Sequence, residues 1–474
     1  MLSIASFALI GWAAAALTQR DANISQQNTL DVDVCVIGGG AAGTYAAIKS
    51  KELGKSVAVV EQQDRLGGHT KTYVDPASKK VIELGVAEYQ DTPIVRAFFA
   101  RLQVPLYQYN YTTPGVTSEY ADFSTGLPAT PKQGDLLGAW NAFQVQVAKY
   151  PSLFYSLDDV PFPVPADLLL PFGQFITKYE LQDAVPYLSL YGEGWGNFVT
   201  LPTLLAIKYF SPDFFSPASL SGDGPGALAA KDNSLIYGNA TQELGSYALL
   251  SSTVISMDRS AADGVTITVQ TPSGKKLIRA KKLISAIPPL IDNLNGFDLN
   301  NKTEVPIFNK FRGHSWYVGL VNNSGVPDNV TLVNYGTTNT NNFNIPVVPG
   351  VYNIYATAVP GIHYFLFAGN DSQPTFTESQ VETALQDTLT RLRATGVIPN
   401  SSGPVKDLSI IDFTSHSPYE LYVPSDQIAK GFYNKLFALQ GQRNTYWTGA
   451  AFVTQSSTAI WNYTDQLVTK MWSG

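Results

Sequence analysis

Apolar residues fall into two kinds of pattern along this chain, and their order predicts most of its architecture. Residues 32–37 and 57–60 are short apolar runs, the first interrupted only by Asp33, the mark of strands buried in a parallel sheet. The stretch between them has a helical pattern to about Leu53. Residues 253–257, 265–269 and 276–280 alternate instead, predicting three strands joined by turns at Asp263-Gly264 and Pro272-Ser273-Gly274. Residues 282–287 are a further apolar strand, which stops at Pro288-Pro289. A short turn and a helical pattern occupy residues 233–250. Near the far end, residues 446–450 predict a strand and a turn, and 457–470 a helix capped by Ser456 or Ser457.

The first strand delivers the chain into Gly38-Gly39-Gly40-Ala41-Ala42-Gly43, a G-x-G-x-x-G that opens the helix. Gly38 permits a tight turn, Gly40 lets a pyrophosphate approach the backbone, and Gly43 lets helix and strand pack closely. The anion would sit on the free N–H groups of the helix N-terminus, with Ala42 in the same turn. Glu61 ends the second strand 23 residues after Gly38, near the spacing at which a carboxylate accepts from ribose hydroxyls, and Gln62 adjoins it. A glycine loop alone is weak, but strand, helix, second strand and acid in register predict a dinucleotide site. Arg65-Leu66-Gly67-Gly68-His69-Thr70 follows four residues later. Its glycine pair suits a second close backbone approach, as a ligand spanning more of the fold requires. A plain glycine turn after the strand is the alternative.

This second segment resembles the R-x-G-G-[RH]-x pattern of the flavin amine oxidase superfamily. The resemblance implies FAD rather than NAD, and adds Arg65, Gly67, Gly68, His69 and Thr70 to the cofactor residues. It implies an α/β chain (α+β overall): a discontinuous Rossmann-type FAD-binding domain with an inserted substrate-binding domain of mixed sheet and helices. The expected pieces are FAD-binding residues 31–89, 232–290 and 432–474, with substrate-binding residues 90–231 and 291–431, rich in Tyr, Phe and Pro. Within the superfamily, residues 65–73, 82–86 and 446–452 resemble secreted-looking fungal flavoproteins that include beta-cyclopiazonate dehydrogenase. By the same resemblance, Gly85 and Val86 run alongside the isoalloxazine, and Val254 offers its backbone to the adenine. Gly449, Ala450 and Ala459 would lie in the terminal turn and helix, whose dipole faces the pyrimidine edge where reduction places negative charge.

The chain departs from the amine oxidases in two places. They carry a lysine in the strand after the proline pair; the comparable residues 315–321 hold none, and the nearest titratable groups are His314, Arg312 and Lys310. His314 is therefore the candidate catalytic base, with a structural hydrogen-bonding role as the alternative. The position of their amine-caging tyrosine falls at Ala459. Trp195, Trp316, Tyr317 and Tyr364 offer another cage, against the plainer reading that they are core. His69 stands where relatives often carry Arg; it either hydrogen-bonds near the flavin, lies on the surface, or forms a covalent 8α-histidyl bond.

Composition narrows the partners. Charged residues are 15% of the 474 and the net charge is −7, with no basic cluster, which excludes nucleic acid and leaves a small molecule. Residues 2–17 are an apolar run ending in four alanines, read as a signal peptide (1–16), with an uncleaved anchor as the alternative and no stable membrane insertion after cleavage. Nine N-x-[ST] sequons agree with a secreted glycoprotein. The single cysteine, Cys35, sits inside the first strand as an inert thiol, and four histidines without ligand spacing give no metal site. The expected activity is a secreted FAD-dependent oxidase or dehydrogenase. It would pass hydride from a small, largely apolar substrate, such as an amine or alkaloid-like molecule, to flavin N5, with dioxygen as acceptor. A redox-neutral isomerase of unsaturated fatty acids and a catalytically inactive flavin-binding protein are the alternatives.

Overall fold

A computed structural model describes residues 28–109, 114–211, 214–215, 227–370, 375–399 and 408–473. The expected leader at residues 1–16 lies outside them. At the centre of one lobe is a seven-stranded sheet. Thr29–Ile37 and Val57–Val60 run parallel in it, and their apolar runs are buried on both faces as the pattern requires. Ala248–Leu249 extends the sheet beyond Val57–Val60, a strand too short to announce itself in the sequence.

The strands expected at residues 276–280 and 282–287 are one strand, Gly274–Ser285. Lys281, between the two, lies at the surface and its ammonium meets Asp33 at 2.8 Å. The backbone continues because Thr29–Ile37 pairs along most of the length, from Leu277 to Ser285. On its other side Gly274–Ser285 pairs first with Val265–Thr271, antiparallel, and then at Leu283–Ser285 with Thr445–Trp447, parallel. One strand therefore joins the beginning, middle and end of the chain.

A buried ion cluster fixes the same junction. Arg259, at the end of strand Thr253–Asp258, donates through Nε to Asp298 at 2.7 Å and through Nη1 and Nη2 to Glu304 at 2.8 and 2.9 Å. Its Nη1 also reaches Thr445 Oγ1 at 3.3 Å, and Arg443 closes the cluster on Asp298.

The second lobe is built on a six-stranded sheet in the order Ser409–Ser415, Trp316–Asn322, Ile362–Ala368, Gly350–Ala356, Val330–Asn334, Thr117–Ala121. Period-2 alternation divides its faces. Tyr317, Val321, Phe365 and Phe367 pack under helix Glu378–Ala394. Val318, Leu320 and Leu366, with Trp316 and Tyr364, face the other way, over Ile82 and Leu84. Short helices between residues 136 and 209 wall the remaining side. Among the described residues no helix is long and apolar enough to cross a membrane.

Candidate active site

The first glycine loop forms because only glycine fits it. Gly38 has φ +96°, and a Cβ on Gly43 would stand 1.8 Å from the Gly38 carbonyl oxygen. Helix Ala41–Glu52 starts at Gly40 with no side-chain cap and no acidic residue in its first turn, so its N–H groups stay available to an anion. The second loop comes to meet it: a Cβ on Gly68 would lie 2.9 Å from Gly40 Cα. Two backbones bare of side chains thus face each other beside a helix N-terminus. Arg65 holds the second loop in shape, donating through Nη1 to the Thr70 carbonyl at 2.7 Å and through Nη2 to that of Gly68 at 3.1 Å.

Glu61 is buried at the strand end. Its Oε2 accepts from Gly39 N–H at 2.6 Å and its Oε1 from Gln63 N–H at 2.7 Å, and each oxygen retains a lone pair for a ribose hydroxyl. Gln62 is exposed. Ser252 N–H donates to the Glu61 carbonyl at 2.8 Å, bringing the strand that carries Val254 to this end of the loop.

Gly85 forms the next part of the floor. A Cβ there would stand 2.0 Å from the His69 carbonyl oxygen and 3.0 Å from His416 Cε1. Asn233 pins the segment, donating through Nδ2 to the carbonyls of Val86 and Ala87, both at 3.0 Å, while its N–H donates to Glu83 at 2.8 Å. His416 Nε2 lies 3.0 Å from the Leu84 carbonyl, which only accepts, so this nitrogen carries the proton. The ring centroids of His416 and His69 are 4.8 Å apart. Burial pushes His69 down to about 4, helped by the Arg65 charge, and holds His416 well below the usual imidazole range. Both are neutral at pH 7.

The chain's far end closes the site. Gly449 takes φ +109° after Thr448 N–H has bonded to the Ser285 carbonyl at 3.0 Å, and Ala450 follows it in a short 3-10 turn. Helix Ser457–Ser473 then packs on helix Ala41–Glu52: Trp461 Nε1 donates to the Ala41 carbonyl at 3.1 Å and Tyr45 donates to Asp465 at 2.9 Å. Ala459 is fully buried in the first turn.

Beyond Gly85 lies a wall of rings. Trp316 touches Tyr419 (centroids 4.6 Å) and His416 (5.2 Å). Tyr355, Tyr364, Tyr419 and Glu193 lie deep in the protein, yet each keeps some accessible surface. Tyr317, offered with Trp316 as a cage residue, faces the opposite side of the sheet, where its hydroxyl accepts from Phe376 N–H at 2.7 Å. Trp195 is buried against Tyr209. The His314 ring is buried, stacked on Tyr422 at 5.0 Å and backed by Gly196, and its backbone pairs in register with Tyr419. His416, Tyr419, Asn233 and Glu193 escaped the sequence reading. They are far along the chain from Gly85, and no local spacing ties them to it.

Two facing glycine loops at a helix N-terminus, an acid at the strand end, a bare backbone floor and a terminal helix together suit an extended dinucleotide. The fold and site are those of a two-lobed flavoenzyme. Residues 36–102 match the NAD(P)-binding Rossmann-like domain. Over nearly its full length the chain is 37% identical to the FAD-dependent oxidoreductase pigF of Monascus ruber, covering 99% of this chain and 98% of that one. It is 35% identical to the beta-cyclopiazonate dehydrogenase of Aspergillus flavus, with the same coverage. The chain belongs to this family of FAD-dependent oxidoreductases, and FAD is its cofactor. In fold it is similar to a CLA-producing fatty acid isomerase from P. acnes (TM-score 0.72, 18% identity, 93% of this chain and 99% of that one). It is also similar to a putrescine oxidase bound to putrescine (TM-score 0.67, 15% identity, 94% and 100%).

Proposed function

We propose that this enzyme is a secreted FAD-dependent oxidase or dehydrogenase whose substrate is small and largely apolar, an amine or alkaloid-like molecule, with dioxygen as the electron acceptor. The observation that carries the reading is the group of partly accessible rings Trp316, Tyr355, Tyr364 and Tyr419, which adjoins Gly85 through His416. Bound FAD supplies two-electron redox chemistry there. The glycine loops and the Ala41–Glu52 N-terminus would hold its phosphates, Glu61 its ribose, and Gly85–Val86 the ring. The rings bind apolar substrate and exclude water. Neutral His69 and His416 keep positive charge out of this wall.

The test is anaerobic mixing with beta-cyclopiazonate, putrescine, cyclohexylamine and a polyunsaturated fatty acid, followed by admission of oxygen. Bleaching of the flavin by one of the first three and stoichiometric peroxide on reoxidation are expected. A second reading, redox-neutral isomerisation of an unsaturated fatty acid, draws on the likeness to the P. acnes isomerase and the lack of lysine in Trp316–Asn322. It predicts isomer turnover without oxygen uptake. Bound flavin that none of these compounds reduces would overturn both.

A further inference from the structure

An oxidation that removes a hydride from a substrate carbon also frees a proton from the neighbouring O–H, N–H or C–H, and a side chain on the cavity wall has to take it. The usual lysine is absent from Trp316–Asn322, and the buried His314 ring is stacked face to face on Tyr422. Of the other carboxylates near the site, Glu88 acts on Tyr187, Tyr191 and Tyr209, and three more are already engaged. Glu61 accepts from Gly39 and Gln63, while Glu83 accepts from Thr72 Oγ1 at 2.7 Å on one oxygen and from Asn233 N–H at 2.8 Å on the other. Glu420 is ion-paired with Lys208 at 2.7 Å.

Glu193 differs. It stands between Gly192 and Gly194 at the end of helix Val185–Tyr191, and it must be flanked this way for its segment to reach the rings. A Cβ on Gly194 would lie 2.5 Å from Tyr419 Cδ1 and 3.1 Å from Trp316 Cδ2. Both hydrogen bonds to the carboxyl fall on one oxygen: Tyr355 Oη donates to Oε1 at 2.6 Å and Asn353 Nδ2 donates to the same atom at 2.9 Å. These two donors hold Oε1 and leave Oε2 to accept a proton. The titratable groups around it are the phenols Tyr209, Tyr352, Tyr355, Tyr364 and Tyr419, all held neutral by burial.

From this arrangement we infer that Glu193 is the proton acceptor of the oxidation, taking the substrate's proton on Oε2 and holding it until reoxidation of the cofactor. In the step, the substrate C–H and X–H bonds break and a C=X bond forms, where X is O, N or C. Two electrons leave with the hydride to FAD, and the proton makes the new Oε2–H bond. Burial raises the Glu193 carboxyl to about 7, against the lowering effect of its two hydrogen bonds, which poises it to gain and lose a proton near neutrality. The same donors explain the choice of residue: Tyr355 and Asn353 steady the carboxylate form in a wall that otherwise disfavours charge.

This inference rests on net oxidation, which the oxygen-uptake experiment decides separately. Glu193→Gln keeps the shape and the Asn353 contact region but cannot carry the proton. With whichever panel compound bleaches the wild-type flavin, the limiting rate of anaerobic reduction is expected to rise with pH through one ionisation near 7. In E193Q that ionisation disappears and the rate falls about 10²–10⁴-fold. Tyr355→Phe removes a hydrogen bond that lowers the carboxyl, so its ionisation moves to higher pH. An infrared titration of the FAD-loaded protein without substrate gives the independent readout: a carboxylic C=O band with the kinetic midpoint, missing in E193Q. An E193Q variant that retains the kinetic ionisation, or a Glu193 band that titrates in the ordinary carboxylate range, would overturn the assignment.

Discussion

Replacing Arg259 by methionine tests how the three pieces of the cofactor domain are held together. The guanidinium is wholly buried and Glu304 is 4% exposed, so neither charge is eased by water when its partner goes. The change removes the bond to Asp298, both bonds to Glu304 and the reach to Thr445. Breaking a buried pair from one side typically costs about 3–5 kcal/mol, because the remaining charge is stranded. Here Arg443 still meets Asp298 and lies 3.4 Å from Glu304, and Asn300 N–H still donates to Glu304 at 2.7 Å, which favours the lower half of that range. With roughly 2 °C or less per kcal/mol for a chain this long, the thermal midpoint should fall by about 5 °C. Differential scanning fluorimetry that follows flavin release measures it directly. Adding Glu304→Leu removes the stranded charge, so the double variant should recover part of the loss, a non-additivity that a double-mutant cycle reads. An R259M midpoint within about 1 °C of wild type would refute the reasoning, since it would mean that the cluster is held in register by packing alone.

Other outcomes follow from the same geometry. Gly43→Ala puts a methyl 1.8 Å from the Gly38 carbonyl oxygen, so helix and strand must part by about 1.5 Å; FAD affinity by fluorescence titration should drop at least tenfold, about 1.4 kcal/mol. His69 and His416 have folded-state values pushed below the ordinary 6.5, so the stability they give is present above that pH and is lost as pH falls toward 4. Glu83 and Glu193, raised to about 7, act with the opposite sign, their contribution being full below 4.5 and lost as pH rises through 7. His416→Asn keeps a donor for the Leu84 carbonyl and should flatten the acid side of the midpoint-against-pH curve without changing its alkaline side; an unchanged acid side would count against a buried neutral imidazole. Thr377→Ala removes the capping box that starts helix Glu378–Ala394 and should cost about 1 kcal/mol in urea unfolding, with no change in the flavin spectrum.

The local elements of the cofactor lobe were legible because each carries its own period. Thr29–Ile37, Ala41–Glu52 and Val57–Val60 could be read from apolar runs and glycines, and Ser457–Ser473 from its helical spacing. Ala248–Leu249 was not, since two residues set no period, and Gly274–Ser285 reads as two strands because its pattern changes from alternating to apolar along one continuous strand. The site divides along the same line. Gly38, Gly43, Glu61 and Gly68 announce themselves through backbone demands that only glycine or a strand-end acid meets. His416 and Glu193 do not, because each reaches the wall through a partner far away in the chain, Leu84 for one and Tyr355 for the other. Tyr317 and Trp316 show the cost of missing the pleat: they are neighbours in sequence and on opposite faces of the sheet.

The strand Gly274–Ser285 also has a consequence in time. A ribosome releases the glycine loops first and Thr445–Trp447 some four hundred residues later, and Trp461 closes on Ala41 across 420 positions. Until that late segment emerges, the edge of the strand at Leu283–Ser285 is unpaired and the phosphate-binding helix lacks its neighbour. The nascent enzyme therefore cannot complete its cofactor cradle piece by piece during synthesis; closure waits for nearly the whole chain, and a stall before residue 445 leaves an open sheet edge prone to pairing with other chains. Arrival of FAD at the finished cradle then favours the closed form by mass action, so cofactor supply during maturation should govern how much of this protein survives folding.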